Sequence, residues 1–199
     1  MSAVRYAPFV SPLVLRRLSR LPDPVNSPEE SSMSGVVLVA DVSGFTSFTE
    51  SLATGGPGGA ETVKDALNAC FGPLIEVVSA HGGEVLQFAG DAVVVLFPSA
   101  DAADLTDAVS RAEAAARSVQ QRVGTVAIKG HTTLRLRIGI GAGGFRNAVV
   151  GGVENRWFSL AGGDALSQAL EYSTRAAAGE TVISPAAQRW MVRRWIASR

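Results

Sequence analysis

The sequence lacks the features that mark several large protein classes. Cys70 is the only cysteine among 199 residues, so neither an internal disulfide nor a cysteine-based zinc site can form. Eighteen basic and eighteen acidic side chains cancel, which argues against a nucleic acid or an anionic membrane as the main partner. No run approaches the ~18 apolar residues of a membrane span, and the N-terminus has no signal-peptide pattern. These absences predict a cytoplasmic protein without a membrane span.

What the chain does contain is enough apolar material, 47% of its residues, for one well-filled domain. Residues 8–20 predict a short amphipathic helix with Ser11 as its cap, Pro12 at its first position, and Arg16 and Arg17 in solvent. A stretch rich in proline, serine and acids follows, and it is typical of a linker. We therefore predict an N-terminal extension and linker over 1–34 and one folded domain over 35–199.

Apolar periodicity predicts the order β-α-β-β-α-β, followed by a small additional α/β unit. Strands are predicted at 35–41, 84–89, 92–97, 134–143, 148–152, 157–162 and 181–184, and helices at 60–80, 102–123, 163–177 and 185–196. This is the element order of the ferredoxin-like fold. The predicted fold class is therefore α+β.

Two aspartates stand at places where this fold brings strand ends together. Asp41 ends the first buried strand, and Asp91 lies in the turn of the hairpin that follows the first long helix. Two carboxylates on rigid strand ends suit Mg²⁺ that bridges phosphates, and Gly44 lets the next backbone N–H groups face a triphosphate. Aspartate is equally common as a helix cap or turn residue, so spacing alone leaves both interpretations open.

The surrounding motifs resemble the class III nucleotidyl cyclase domain. They are ADVSGFTSFTE (40–50), HGGEVLQFAGDAVVVLF (81–97), LRIGIGAG (136–143) and VVGGVENRWFSLAGGDALSQAL (149–170). The lead-in over 9–24 is similar to the N-terminal extension of bicarbonate-responsive soluble adenylyl cyclases and their bacterial relatives. Because the two aspartate motifs occur in order and 50 residues apart, the resemblance favours a catalytic role for both.

The resemblance implies a specific mechanism. Two cyclase domains would pair head to tail, with a nucleoside triphosphate, ATP by expectation, in the groove between them. Asp41 and Asp91, with the carbonyl of Val42, would hold two Mg²⁺ or Mn²⁺ ions, which activate the ribose 3′-hydroxyl and hold the triphosphate. The phosphates would lie against the backbone of Ser43, Gly44, Phe45 and Thr46.

Four positions depart from the adenylyl cyclase pattern. Gln87 and Leu160 stand at the base-reading positions, which usually carry lysine and an aspartate or threonine. Ser167 replaces the asparagine that orients the ribose, and Glu171 replaces the arginine that stabilises the transition state. Since the partner domain supplies these groups, we predict a metal-binding half-site that is weak or inactive as a homodimer. It would need a complementary domain, in a heterodimer or a pseudo-heterodimer.

Alternative interpretations remain open at this stage. A degenerate cyclase fold could act as a nucleotide- or anion-sensing regulatory module, or as a dimerisation domain, although the two retained aspartates count against this. Arg137 and Arg146 could line the pocket or an anion site, or could simply be solvated. Trp157 and Phe158 are expected in the core or at a dimer interface.

Overall fold

The computed structural model describes residues 10–20, 27–53, 59–128 and 133–197. Part of the predicted linker, 21–26, lies outside the described residues. The helices are α1 (Pro12–Arg20), α2 (Phe45–Ala53), α3 (Gly59–Ala80), α4 (Thr106–Val123), α5 (Asp164–Arg175) and α6 (Pro185–Ala197). The strands are β1 (Glu29–Ser43), β2 (Glu84–Ala89), β3 (Ala92–Pro98), β4 (Thr125–Ala127), β5 (Thr133–Gly151), β6 (Trp157–Gly162) and β7 (Thr181–Ile183). Among these helices, none is long and apolar enough to cross a membrane.

The strands form one sheet with β1 at its centre. The order is β2-β3-β1-β5-β4, while β6 and β7 pair with other parts of β5. β1 runs antiparallel to both β3 and β5, which is the arrangement that the β-α-β-β-α-β order requires. The predicted α+β fold is confirmed.

Both faces of the central strand are covered. On the first face, Val36, Leu38 and Ala40 pack against α2, α3, α4 and α6. On the second face, Val37 and Val39 pack against α1 and α5. Each fully buried valine or leucine contributes roughly 1.5–3 kcal/mol, so this strand is a rigid support for whatever follows it.

Two glycines allow α5 to lie directly on the sheet. A Cβ at Gly139 would stand 2.1 Å from the carbonyl oxygen of Ala169, and one at Gly141 would stand 2.2 Å from that of Ala165. No side chain fits these distances. The position of α5 therefore depends on glycine at both sites.

The strands differ from the prediction at two places. β1 begins at Glu29, so residues 29–34 are strand rather than linker, because they pair with residues 144–149 of β5. The predicted strands 134–143 and 148–152 are a single strand, since Gly143 and Gly144 keep their pairing with β1. The short strand β4 was not predicted.

Helix α1 is fixed to the sheet by ion pairs as well as by Leu13, which is buried. The Ser11 hydroxyl accepts the N–H of Val14 at 3.4 Å, as predicted for the cap. The prediction that both arginines stay in solvent was wrong for Arg17, while the side chain of Arg16 remains 40% exposed. Arg16 Nη2 donates to Glu84 Oε2 at 2.7 Å, and Arg17, 16% exposed, donates to Glu29 at 2.8 Å.

Candidate active site

The structure brings Asp41 and Asp91 to the same edge of the sheet. Asp41 lies on β1 opposite Ala92 of β3, and Asp91 is the residue before Ala92 in the hairpin turn. A backbone hydrogen bond confirms that they are close: the N–H of Val42, the residue after Asp41, donates to the carbonyl oxygen of Asp91 at 3.1 Å. The sequence predicted this meeting of the two residues.

The turn between β2 and β3 explains why glycine precedes the second aspartate. Gly90 has φ +63°, a left-handed conformation that costs glycine little. The following residue, Asp91, is half-buried. The turn is therefore as tight as two residues allow, and it holds Asp91 close to the end of β1.

The oxygen atoms at this edge fit a hard divalent cation. In a strand, the N–H and C=O of one residue point to the same side, so the carbonyl of Val42 also faces the Asp91 turn. Two carboxylates and one backbone carbonyl suit Mg²⁺ or Mn²⁺ better than zinc, which favours nitrogen and sulfur ligands. Within the described ranges there is no cluster of three or more His, Cys, Asp or Glu that would form a different metal site.

Arg137 lies at this edge too. It is directly opposite Asp41 in the β1–β5 pairing, and its Nη2 donates to Asp41 Oδ2. The side chains of Arg137 and Asp41 are 32% and 19% exposed, so the ion pair is largely shielded from water. The structure thus assigns Arg137 to the site rather than to solvent, and Arg146 lies nine residues further along the same strand, exposed.

The predicted phosphate-binding segment continues directly from the aspartate. Gly44 has φ +85°, which turns the chain from β1 into α2, and the N–H of Phe48 donates to the Gly44 carbonyl at 3.0 Å. The N–H groups of the first helical turn, from Phe45 and Thr46 onward, have no intrahelical acceptor. They are available for an anion, and the residue before Gly44, Ser43, is half-buried.

The two predicted base-reading positions lie on different strands, and only Gln87 lines a cavity. Gln87 is exposed on β2, just beyond a register shift, and it lines a cavity of about 250 Å³. Ser159 and Ala161, the neighbours of Leu160, line the same cavity, whereas Leu160 itself is 54% exposed. Leu13 and Val14 of helix α1 and Asn147 of β5 line it as well.

The other two departures lie on the outer side of α5. Ser167 and Glu171 are both exposed and stand four residues apart, so they share one face of the helix. Glu171 forms an ion pair with Arg175 at 2.5 Å, and the Arg175 guanidinium lies 4.9 Å from the centre of the Tyr172 ring. The surface that a partner domain would meet thus presents an acid at the predicted arginine position.

The chain matches a known family over most of its length. Residues 28–194 match the adenylate and guanylate cyclase catalytic domain. The chain belongs to this family. The resemblance drawn from the motifs is therefore confirmed, and the chain is a nucleotidyl cyclase catalytic domain.

The chain is also similar in sequence to individual adenylate cyclases. It is 28% identical to adenylate cyclase type 10 of Oryctolagus cuniculus over 181 residues, 86% of this chain and 11% of that protein. The chain thus spans about a tenth of the length of the curated relatives it matches.

Two solved structures show the same fold. The adenylyl cyclase CyaB from P. aeruginosa superposes with a TM-score of 0.66 at 21% identity, over 83% of each chain. The dimeric guanylyl cyclase domain of RhoGC from Blastocladiella emersonii gives 0.66 at 18% identity, over 83% of this chain and 86% of that one. Since an adenylyl and a guanylyl cyclase fit equally well, the fold does not select a base.

Proposed function

We propose that this domain is the metal-binding half of a nucleotidyl cyclase. Together with a complementary cyclase domain, it would convert a nucleoside triphosphate, ATP by expectation, into a 3′,5′-cyclic nucleotide and pyrophosphate. The observation that carries the proposal is the 3.1 Å bond from the Val42 N–H to the Asp91 carbonyl. It joins the backbone of Asp91 to the residue that follows Asp41, at the end of the central strand β1.

The residues of the chain have separate tasks in this reaction. Asp41, Asp91 and the Val42 carbonyl would hold two divalent ions, Mg²⁺ or Mn²⁺, which when bound supply Lewis-acid activation of the 3′-hydroxyl and charge neutralisation. The backbone from Ser43 to Thr46 would bind and orient the triphosphate. The 3′-oxygen then attacks the α-phosphorus, the bond to the bridging oxygen breaks, pyrophosphate leaves, and the hydroxyl proton passes to water.

The need for a partner follows from the exposed half of the site. Glu171 would repel the developing negative charge where a cation is required, and Ser167 is too short to replace an asparagine. Phe158, 62% exposed, and Leu160 stand on one face of β6, which is unusual for large apolar side chains and typical of a contact surface.

ATP is proposed as the substrate on the strength of the relatives in sequence, which are adenylate cyclases. Gln87 lacks the charge of the usual lysine but can both donate to and accept from a base edge. Cytoplasmic location, expected from the lone cysteine, stays a prediction.

A cyclase assay with Mn²⁺ and each of ATP, GTP, CTP and UTP tests this function. The chain is assayed alone and then with a cyclase domain that carries the missing asparagine and arginine. We expect cyclic AMP as the main product of the mixture and little product from the chain alone. A mixture without any cyclic nucleotide would contradict the proposal.

The alternative function is that of a sensor module. Ser167 and Glu171 favour it, since both remove groups that the transition state needs. A sensor would bind nucleotide with Mn²⁺ in calorimetry without turnover, even after the complementary domain is added. That combination of results would select the sensor over the enzyme.

A further inference from the structure

The ion pair between Arg137 and Asp41 places a cation on a predicted metal ligand. The two residues face each other across antiparallel strands, so their side chains leave the sheet on the same side and stand close together. Asp41 is only 19% exposed, and a carboxylate that far from water needs a counter-ion. The guanidinium of Arg137 meets that need.

The backbone of Arg137 is held firmly, while the ion pair does not satisfy all the donors of its side chain. Leu136 and Ile138 on either side are fully buried in the first face of the sheet. The Nε of Arg137 is buried without a hydrogen-bond acceptor, although the guanidinium carries five N–H donors. The ion pair therefore leaves the Nε–H donor unsatisfied. Because of this, moving the guanidinium away costs less free energy than breaking a fully hydrogen-bonded pair.

We propose that Arg137 is the counter-ion of Asp41 in the metal-free domain and competes with the metal for it. The inference rests on the proposed function, because it takes Asp41 as a metal ligand. Arg137 is a positioning residue in this role: it orients the carboxylate, and it weakens metal binding until it is displaced. A polyphosphate that attracts the guanidinium would release Asp41, so metal and triphosphate would bind together more tightly than separately.

The test is Mn²⁺ binding to the protein without nucleotide. Binding is measured as the decrease in the electron paramagnetic resonance signal of free Mn²⁺. Arg137→Gln should bind Mn²⁺ roughly fivefold more tightly than the wild type, the effect of removing a competing ion pair of ordinary strength. Arg146→Gln removes the same charge from the same strand at an exposed position and should stay within about twofold. Arg137→Lys, which keeps the charge, should return toward the wild-type affinity.

The outcomes separate this inference from the proposed function. Equal or weaker binding by Arg137→Gln, with binding lost in Asp41→Asn, would overturn the role of Arg137 and leave the metal site standing. Binding that is unaffected by Asp41→Asn would overturn the metal site itself.

A second measurement covers the case in which Arg137→Gln does not fold. In the wild type, Mg²⁺ should shift the guanidinium ¹⁵N resonance of Arg137 as the ion pair opens, while that of Arg146 stays unchanged. An Arg137 resonance that does not respond to saturating Mg²⁺ would contradict the proposal.

Discussion

The two halves of the candidate site are built in different ways. The proposed metal corner, formed by Asp41, Val42, Asp91 and Arg137, lies at the ends of central strands that pair in a defined register. The partner-facing half, formed by Gln87, Leu160, Ser167 and Glu171, consists of exposed side chains on the strands β2 and β6 and the outer side of α5. All four departures from the cyclase pattern fall in the exposed half. Exposed positions can change chemistry without disturbing the core, whereas the metal corner cannot.

The metal corner also costs the fold something. A half-buried carboxylate next to fully buried valines and leucines is less favourable than another apolar residue, unless a cation compensates it. Asp41 has such a cation in Arg137. A polar pair kept at the end of an otherwise apolar strand is the pattern expected of a functional site.

The strongest test of the difference between the halves is the loss of either aspartate. Asp41→Ala or Asp91→Ala should lower cyclase activity with a complementary domain by about a thousandfold or more, because a metal ligand is removed. Asp65→Ala, an exposed carboxylate on α3, serves as the control and should stay close to the wild type. Retained activity in either aspartate variant would refute the two-metal assignment.

The reverse change should repair the partner-facing half. Ser167→Asn combined with Glu171→Arg restores the groups that the transition state needs, so activity of the chain alone should rise by at least about tenfold. Turnover of ATP by the purified double variant measures this. Because both positions are exposed, the melting temperature should hardly change. A well-folded double variant without any gain in activity would show that more than these two residues is missing.

Displacing α5 should disturb the partner-facing half of the site and leave the metal corner unchanged. Gly141→Ala places a methyl group where 2.2 Å is available, so the free energy of unfolding should fall by about 1–3 kcal/mol. Urea denaturation measures this loss, and Gly144→Ala, with no atom within 4 Å of the added Cβ, is the matched control. Mn²⁺ binding should survive, since Asp41 and Asp91 do not lie on α5. A variant that keeps full stability would contradict the close packing.

The smallest expected effect concerns the ion pair between Arg17 of α1 and Glu29 of β1. The hydrogen bond from Arg17 holds the pKa of Glu29 below its usual range, so the carboxylate is favoured in the folded state. Stability from this pair is present above the unfolded pKa and is lost as the pH falls through the lowered pKa. Arg17→Gln should therefore show a weaker acid dependence of the melting temperature, measured between pH 6 and about pH 3. An identical acid dependence in both proteins would show that this ion pair does not contribute to the stability of the fold.

Much of the fold could be predicted from the sequence, because apolar residues recur with clear periods. The buried run before Asp41 and the Gly90-Asp91 turn were both correct in type and position. Residues 29–34 could not be predicted as strand, since serines and glutamates carry no apolar alternation and their strand form comes from pairing with β5.

The candidate site was predicted in part for the same reason. The aspartates sit in local motifs, so their places could be inferred. The contact of Arg137 with Asp41 depends on the register between strands separated by nearly a hundred residues, which no local pattern reveals. The ion pairs of α1 were missed for that reason too.

In the proposed reaction, this chain supplies the ligands of the metal ions and another domain supplies the remaining catalytic groups. To test this division, the wild-type chain is mixed with a complementary cyclase domain whose own metal-binding aspartates have been changed to alanine. Cyclic nucleotide can then form only at the corner of Asp41 and Asp91. We expect turnover in the mixture, little from either component alone, and none when Asp41→Ala replaces the wild-type chain. Equal turnover by the chain alone, or turnover that survives Asp41→Ala, would contradict the account.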